Sequence, residues 1–477
     1  MRLKVLKRKT EKLQPYLKIS MVVLIILYLV ISVLFRYEDT VSYTVWSVNF
    51  WDLLFQGRLG DYYSYSHENL RQAPHGLFCG SYLTVFPWIL WNFPLWLTHP
   101  ISQNVRVDSV ACIFYSKLLL LLCVIGIAFY VYRIAKVVFR KSDEQACLAA
   151  ILSVGGYEIV NSTAYAGQDE VVYLFFILAA VYFLLAGRKR MWLLFSCMSI
   201  TVCPIMLIPF LTVYLIYEKN ILKILGGTGM VLIPSLFFEF VYHSDEIYQE
   251  SKGINSTSIF ESMMDGDRIG TALGTVSAVG VAIILVFFLC YIIHEEGQNQ
   301  NVSIIYMLAV SFFIICFMSP LNVFYRFGIY TPFWAVLIVL YEDRLNINLF
   351  LMTVVNYGRA FVSLGYSLSP DPFMTQNWNL TQNWNSQFIF PEIKTCLGEI
   401  RMRAVSEMMV DILGSQYYTV LFIARTMVFA GAIILLLINW KRWDKEISFQ
   451  ISYRMSMVMY TCSNVFFFVA FVVCILS

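Results

Sequence analysis

Apolar runs of bilayer-spanning length recur along almost the entire chain, and they decide its fold class before any motif is considered. Thirteen are read, at about 19–35, 109–131, 145–161, 171–187, 191–203, 204–217, 224–242, 271–293, 302–319, 327–341, 347–365, 417–439 and 456–476. A helix rising 1.5 Å per residue crosses a hydrocarbon core of about 30 Å in about 20 residues, and the shorter runs are read as stretched by kinks or tilt. Of the 477 residues, 59% are apolar and 14% charged, so water-facing domains would lack the polar surface to cover them. A net charge of +3 leaves a nucleic acid no electrostatic footprint. The expected fold class is therefore all-α: a polytopic integral membrane protein of about 13 transmembrane helices, with extracytoplasmic amphipathic helices.

Charge placement orients it. The first eighteen residues carry seven Lys or Arg and one Glu, and the run after them ends in FRYEDT without a small-residue cleavage site, which predicts an uncleaved first helix with its basic flank in the cytoplasm. Residues 133–141, Arg188-Lys189-Arg190, Lys219 with Lys223, and Lys441-Arg442 with Lys445 then all fall on the cytoplasmic side. The apolar segment 81–100 is kept outside, since crossing would export every later basic loop. Broken by Pro87 and Pro94 and rich in Trp, it reads as lying in the outer interface. Runs 191–203 and 204–217 read as a pair of half-helices. The chain divides into a cytoplasmic basic tail (1–18), a transmembrane module (19–365) with a first extracytoplasmic loop at 36–108, an extracytoplasmic loop (366–416) and C-terminal transmembrane helices (417–477). The location this implies is the plasma (inner) membrane.

Polar mass is concentrated outside, in segments 36–108, 243–270 and 366–416, far longer than helix connections require. The last holds a tandem TQNWN at 375–379 and 381–385, a composition that suits a sugar or a duplicated turn equally. Nine of the eleven cysteines fall in or at the ends of apolar runs, where Cys acts as a small hydrophobe. Cys79 and Cys396 lie in outside loops, as a bridge or as two free thiols. The five histidines have no i, i+4 pair, so no zinc site is read.

Candidate chemistry sits at helix ends. Glu38 and Asp39 leave the first transmembrane helix at the outer boundary, where a carboxylate reaches both lipid-borne and water-borne substrates and burial can tune its pKa; a merely solvated acidic flank is the alternative. Residues 42–65 place Val45, Val48, Trp51, Leu54 and Phe55 at helical spacing and Gly57 at a helix end, predicting an amphipathic helix on the membrane surface. Gly167-Gln168-Asp169-Glu170 forms a short outside turn before a helix, where the Asp could equally be an ordinary N-cap. Two outside acidic clusters on helix ends are what a membrane-surface active site requires.

The order of these features, over about residues 19–190, resembles the GT-C superfamily of membrane glycosyltransferases: a first helix, an acid-bearing loop running through Phe55-Gln56-Gly57-Arg58 to Tyr62-Tyr63, an outer segment with Pro87 and Pro94, and the Gly167-Gln168-Asp169-Glu170 turn. The layout is similar to that of polyprenol-phosphate-mannose-dependent mannosyltransferases. Tyr325-Arg326-Phe327-Gly328 to Pro332 resembles their arginine-bearing late segment, without the histidine that precedes the arginine in the eukaryotic pattern.

The resemblance implies that Asp39 is the catalytic base, with Glu38 the neighbour that could substitute. Gln168 and Asp169, with Glu170 beside them, would then orient a substrate. The partners implied are a polyprenyl-phosphate sugar donor, hexose or mannose-like, and a glycan or glycolipid acceptor at the lipid bilayer, with inversion at the anomeric carbon and no nucleic acid. A departing phosphate calls for cations, and Lys117, Arg326 and the deeper Arg359 are the candidates; Lys117 could instead snorkel and Arg359 could pair with an acid on a neighbouring helix. Metal dependence stays open: Glu38, Asp39, Asp169 and Glu170 carry the oxygen ligands a hard divalent cation takes, and no spacing demands one. A transporter or flippase of lipid-linked saccharides, and a surface polysaccharide polymerase or ligase, are the competing readings. The first would favour paired halves with broken midplane helices, and no internal repeat of that kind is found.

Overall fold

The first apolar run folds as α1 (Gln14–Leu34), and the chain re-enters a helix at once as α2 (Glu38–Phe55). The structure, a computed structural model, describes residues 14–34, 38–69, 84–98, 110–165, 167–252, 268–271, 274–318, 328–366, 410–440, 449 and 451–476. Gly57, at φ +69°, takes the left-handed backbone that ends α2, as its position after the apolar series led one to expect. A short α3 (Tyr62–Glu68) turns back against α2, with the Tyr62 hydroxyl donating to the Trp46 carbonyl across 3.2 Å.

The proline-bearing segment forms two six-residue helices, α4 (Phe86–Trp91) and α5 (Phe93–Thr98), with Asn92 between them. At 1.5 Å per residue each is about 9 Å long, so neither crosses a bilayer. Both pack on α2. In consequence α2 does not lie open on a surface as its amphipathic pattern suggested: Val41 to Asn49 are all buried, and only its last turn, with Leu54 and Phe55, is exposed. The reason is the covering segment, whose Trp88 stacks on Tyr43 with ring centroids 4.6 Å apart.

Beyond this lid stand α6 (Val110–Arg133), continued by a π-helical stretch at Ile134–Val138, then α7 (Asp143–Val154) and the single turn α8 (Tyr157–Val160). Ser142 and Gln145 form a reciprocal capping box that starts α7. A second π-helical stretch, Asn161–Tyr165, leads to α9 (Glu170–Leu185). α6 packs on both α7 and α9, and α1 lies against α6 and α7.

The pair expected as half-helices is α10 (Lys189–Val202) and α11 (Leu207–Tyr217). Cys203 is extended (φ −141°, ψ 107°) and Pro204 follows, so the helix cannot continue through the junction. α12 (Ile221–Tyr242) is capped by Asn220, whose side chain accepts from the backbone of Leu222 and Lys223. After the short α13 (Glu246–Lys252) the structure departs from all-helix: β1 (Arg268–Thr271) and β2 (Gly274–Ser277) form an antiparallel hairpin pairing Arg268 with Ser277. The run predicted from 271 therefore becomes helical only at α14 (Ala278–Ile292), where Ser277 caps by accepting from the Gly280 backbone.

α15 (Gly297–Phe313) and α16 (Thr331–Leu340) pack on each other, and α16 also fills the space against α7. α17 (Leu345–Tyr366) receives both α18 (Tyr417–Ile438) and α19 (Tyr453–Leu476). Small residues allow the close approach: a Cβ on Gly358 would stand 2.5 Å from Val428 Cγ2. Each of the thirteen apolar runs overlaps a helix among the described residues, the run from 271 only after the hairpin. Among the described residues four helices are long and apolar enough to cross a membrane, Ala111–Val138, Ile221–Tyr242, Gly297–Met318 and Val410–Ile438, and five apolar helices are shorter. The apolar window of α12 is only 17% buried, and its exposed Leu225, Leu236 and Phe240 have the pattern of a helix meeting lipid.

Candidate functional site

The start of α2, the turn before α9 and the first turns of α6 come together. Glu38 and Asp39 form the first turn of α2; their side chains lie outside the described residues. The next residue, Thr40, is fully buried and donates its hydroxyl to the Gly167 carbonyl at 3.5 Å. Lys117, one of the largest fully buried side chains, donates its ammonium to the Ala164 carbonyl at 2.7 Å. Gly167 is the point where all three meet. Its φ is +60°, and a Cβ there would stand 2.0 Å from Thr40 Oγ1 and 3.3 Å from Lys117 Cε. Only glycine meets both demands, a left-handed backbone and no side chain.

The turn itself is tightly made. Gln168 is buried and its backbone N–H donates to the Ser162 carbonyl at 3.0 Å, closing the loop over the π-helical stretch. Asp169 precedes α9 in helical conformation (φ −78°, ψ −8°), and its carboxylate makes no capping hydrogen bond. Capping therefore does not account for the acid at this position. Glu170 is 1% exposed. Of the residues singled out in the sequence, Lys117, Gln168, Asp169 and Glu170 thus lie in or beside one turn, with the backbone of Glu38 and Asp39 adjoining it.

Arg359 has a different setting. It is buried on α17, its guanidinium 3.2 Å from Glu158 Oε1 and seated over the rings of Phe317 (4.2 Å) and Tyr330 (4.9 Å). The Tyr157 hydroxyl also donates to Glu158, at 3.3 Å. This is the pairing with an acid on a neighbouring element that the sequence left open for Arg359. It fixes α8, and α8 leads directly into the turn at 161–169. Sequence reasoning missed Glu158, although an acid inside the apolar run 145–161 was the available signal.

Arg326, the cysteines Cys79 and Cys396, and the tandem TQNWN at 375–385 lie outside the described residues. Gly328, two residues past Arg326, is pressed against α8: a Cβ there would stand 2.7 Å from Ile159 Cδ1. Among the described residues no three His, Cys, Asp or Glu side chains gather as a metal site. No family model, no curated protein and no solved structure matches the chain.

Proposed function

We propose that the chain is an integral membrane glycosyltransferase, GT-C-like, that transfers a hexose from a polyprenyl-phosphate donor to a lipid-linked or cell-surface glycan acceptor on the extracytoplasmic face. The observation that carries this reading is the meeting at Gly167 of the α2 start, the Gln168-Asp169-Glu170 turn and buried Lys117. An acid-bearing helix start, a second acidic turn and a cation are what such a transfer needs in one place.

In this reading the acceptor hydroxyl attacks the anomeric carbon as its proton passes to the Asp39 carboxylate. The bond from that carbon to the phosphate oxygen breaks, the configuration inverts, and polyprenyl phosphate departs with the bonding pair. An alcohol is a poor nucleophile until a positioned base withdraws its proton in the transition state. Lys117 and Arg326 would steady the anionic leaving group, an effect largest where water is excluded. Gln168 and Asp169 would orient the sugars.

The test is direct. Purified protein is incubated with candidate polyprenyl-phosphate hexoses and a glycolipid extract, and release of polyprenyl phosphate is followed with appearance of the extended acceptor. Donor consumption coupled to product supports the reading; translocation of a lipid-linked saccharide across proteoliposomes without bond cleavage would replace it with the flippase.

A further inference from the structure

A closed ring of hydrogen bonds lies beneath the α2 start, and every side chain in it is fully buried. The Ser47 hydroxyl donates to the Thr44 carbonyl (2.7 Å), and the Asn92 amide nitrogen donates to Ser47 Oγ (2.9 Å). The Ser116 hydroxyl in turn donates to Asn92 Oδ1 (3.1 Å). The Thr44 hydroxyl shares its proton between Ser116 Oγ (2.8 Å) and the Thr40 carbonyl (2.7 Å). Thr44, Ser47, Asn92 and Ser116 all have 0% exposure. The donors run in one direction round the ring, an arrangement in which each bond polarises the next.

Asn92 suits its place because a carboxamide offers a donor and an acceptor at one planar end. Its backbone is equally constrained: its N–H closes α4 by donating to the Trp88 carbonyl, and its own carbonyl accepts from Trp96 in α5. The neighbouring Trp91 grips the same part of α6. Its indole N–H donates to the Tyr115 carbonyl (2.8 Å), the Tyr115 hydroxyl donates back to the Trp91 carbonyl (3.1 Å), and the two rings stack. Residues 91 and 92 therefore hold residues 115 and 116, and Lys117 is next. At the other end of the network Thr40 reaches Gly167.

We infer that Asn92, at the break between α4 and α5, is a positioning residue: through Thr44, Ser47 and Ser116 it sets the acid-bearing first turn of α2 against Lys117 and the turn at 161–169. Its catalytic meaning rests on the glycosyl-transfer reading; its mechanical meaning does not. The interfacial segment 86–98 is then part of the site's scaffold and not only a membrane contact.

The experiment compares Asn92→Leu, which keeps volume and removes both hydrogen bonds, with Thr44→Val and Thr44→Ser in the full-length protein. Thr44→Val is near-isosteric and guards against an Asn92 variant that fails to fold. With a polyprenyl-phosphate hexose, Asn92→Leu and Thr44→Val are expected to lower kcat roughly ten- to a hundred-fold, the scale of a misplaced reacting group. Donor KM should stay within about twofold, because binding is not what is lost, and Thr44→Ser should restore kcat. Unchanged kcat, a KM that rises in step, or a Thr44→Ser as impaired as Thr44→Val would overturn the inference. Hydrogen exchange of backbone amides 40–47 is measured alongside, and should quicken in both disruptive variants while α7 is unaffected. Unchanged exchange overturns the positioning role whatever the turnover. Quickened exchange in a protein that transfers no sugar upholds the ring and removes only the glycosyl-transfer reading.

Discussion

Glu158 and Arg359 stand 3.2 Å apart with side chains only 2% and 4% exposed, and they join the turn that enters the candidate site to the helix on which α18 and α19 pack. Neither charge could be left alone there, since an unpaired buried charge costs far more than a matched pair. Arg359→Met is expected to destabilise the protein by about 3 kcal/mol. The double variant Glu158→Gln/Arg359→Met should recover most of that loss, as seen in thermal unfolding of detergent-purified protein. An Arg359→Met protein as stable as the parent would show that the pair does not hold α8. A stable double variant with weakened donor binding would show that Arg359 also reaches the phosphate.

Gly167→Ala should be more damaging than its one added methyl suggests. The residue has φ +60°, which costs an L side chain about 1 kcal/mol or more, and the new Cβ would meet Thr40 Oγ1 at 2.0 Å. Relief requires the Thr40 hydroxyl to swing off the Gly167 carbonyl, with Thr40 Cβ at 3.2 Å and Lys117 Cε at 3.3 Å still crowding the methyl, or α2 to shift away from the turn. Sugar transfer is expected to fall at least tenfold, the consequence of a displaced reacting group, with a lowered unfolding midpoint. Gly57→Ala is the control: its φ of +69° is similar, but no atom stands within 4 Å of the added Cβ, so it should lose some stability and little activity.

The helices were legible because bilayer-length apolar runs leave a backbone no other way to satisfy its polar groups. Helix ends with chemical punctuation were legible too, as at Gly57 and at the Cys203-Pro204 break. What periodicity could not show was what covers a face. Val45 and Val48 read as one side of a surface helix, yet α2 is buried from Thr40 to Asn49 because α4 and α5 lie on it. The hairpin at 268–277 was hidden for a related reason: Thr275 and Val276 continue into an apolar run without announcing strand or helix, and β2 opens on Gly274 at φ +106°. Within the site, the sequence supplied the residues but not the joints. Gly167 was read as part of a motif, whereas its role is to let Thr40 and Lys117 close on the turn.

Asp143 gives a pH prediction outside the apolar helices. Lys136 at 3.0 Å and the Tyr132 hydroxyl at 2.8 Å hold its carboxyl below the usual carboxylate value. A folded-state pKa below the unfolded one contributes stability that is complete above the unfolded value and is lost as pH falls through the folded value. The stability difference between parent and Asp143→Asn should therefore be fully present at pH 7, begin to fall only as pH drops to the ordinary carboxylate range, and disappear as pH passes through the lower folded value. Because the site is exposed, the difference will be small and will shrink further in high salt. Unfolding midpoints measured across pH 3 to 7, roughly the span over which an Asp carboxyl titrates, check both the sign and the window.

Lys117 should act through donor binding. A contact to phosphate made in both ground and transition states is largely uniform binding, which appears in KM more than in kcat. Lys117→Met and Arg326→Ala are expected to raise the apparent donor KM several-fold, by the scale of a lost charge-assisted hydrogen bond. Lys117→Met should carry an added stability loss, because its ammonium also holds the Ala164 carbonyl at 2.7 Å. Two folded variants with unchanged donor affinity would remove both residues from the site.

Asp39→Asn should abolish transfer while leaving expression and membrane insertion intact. The amide keeps the shape and polarity of the carboxyl at the first turn of α2 but cannot accept the acceptor's proton, a loss typically of about 10²–10⁴-fold. Glu38→Gln should cost much less if that residue only tunes its neighbour. Asp169→Asn should fall between the two, since orienting a substrate is graded where proton acceptance is not. These three variants, assayed with one donor at saturating concentration, separate the roles. An active Asp39→Asn beside a dead Glu38→Gln would move the base by one residue. If both remain active, the α2 start is not where the proton goes, and translocation of a lipid-linked saccharide becomes the better account of why an acid-bearing helix, an acidic turn and a buried lysine meet at Gly167.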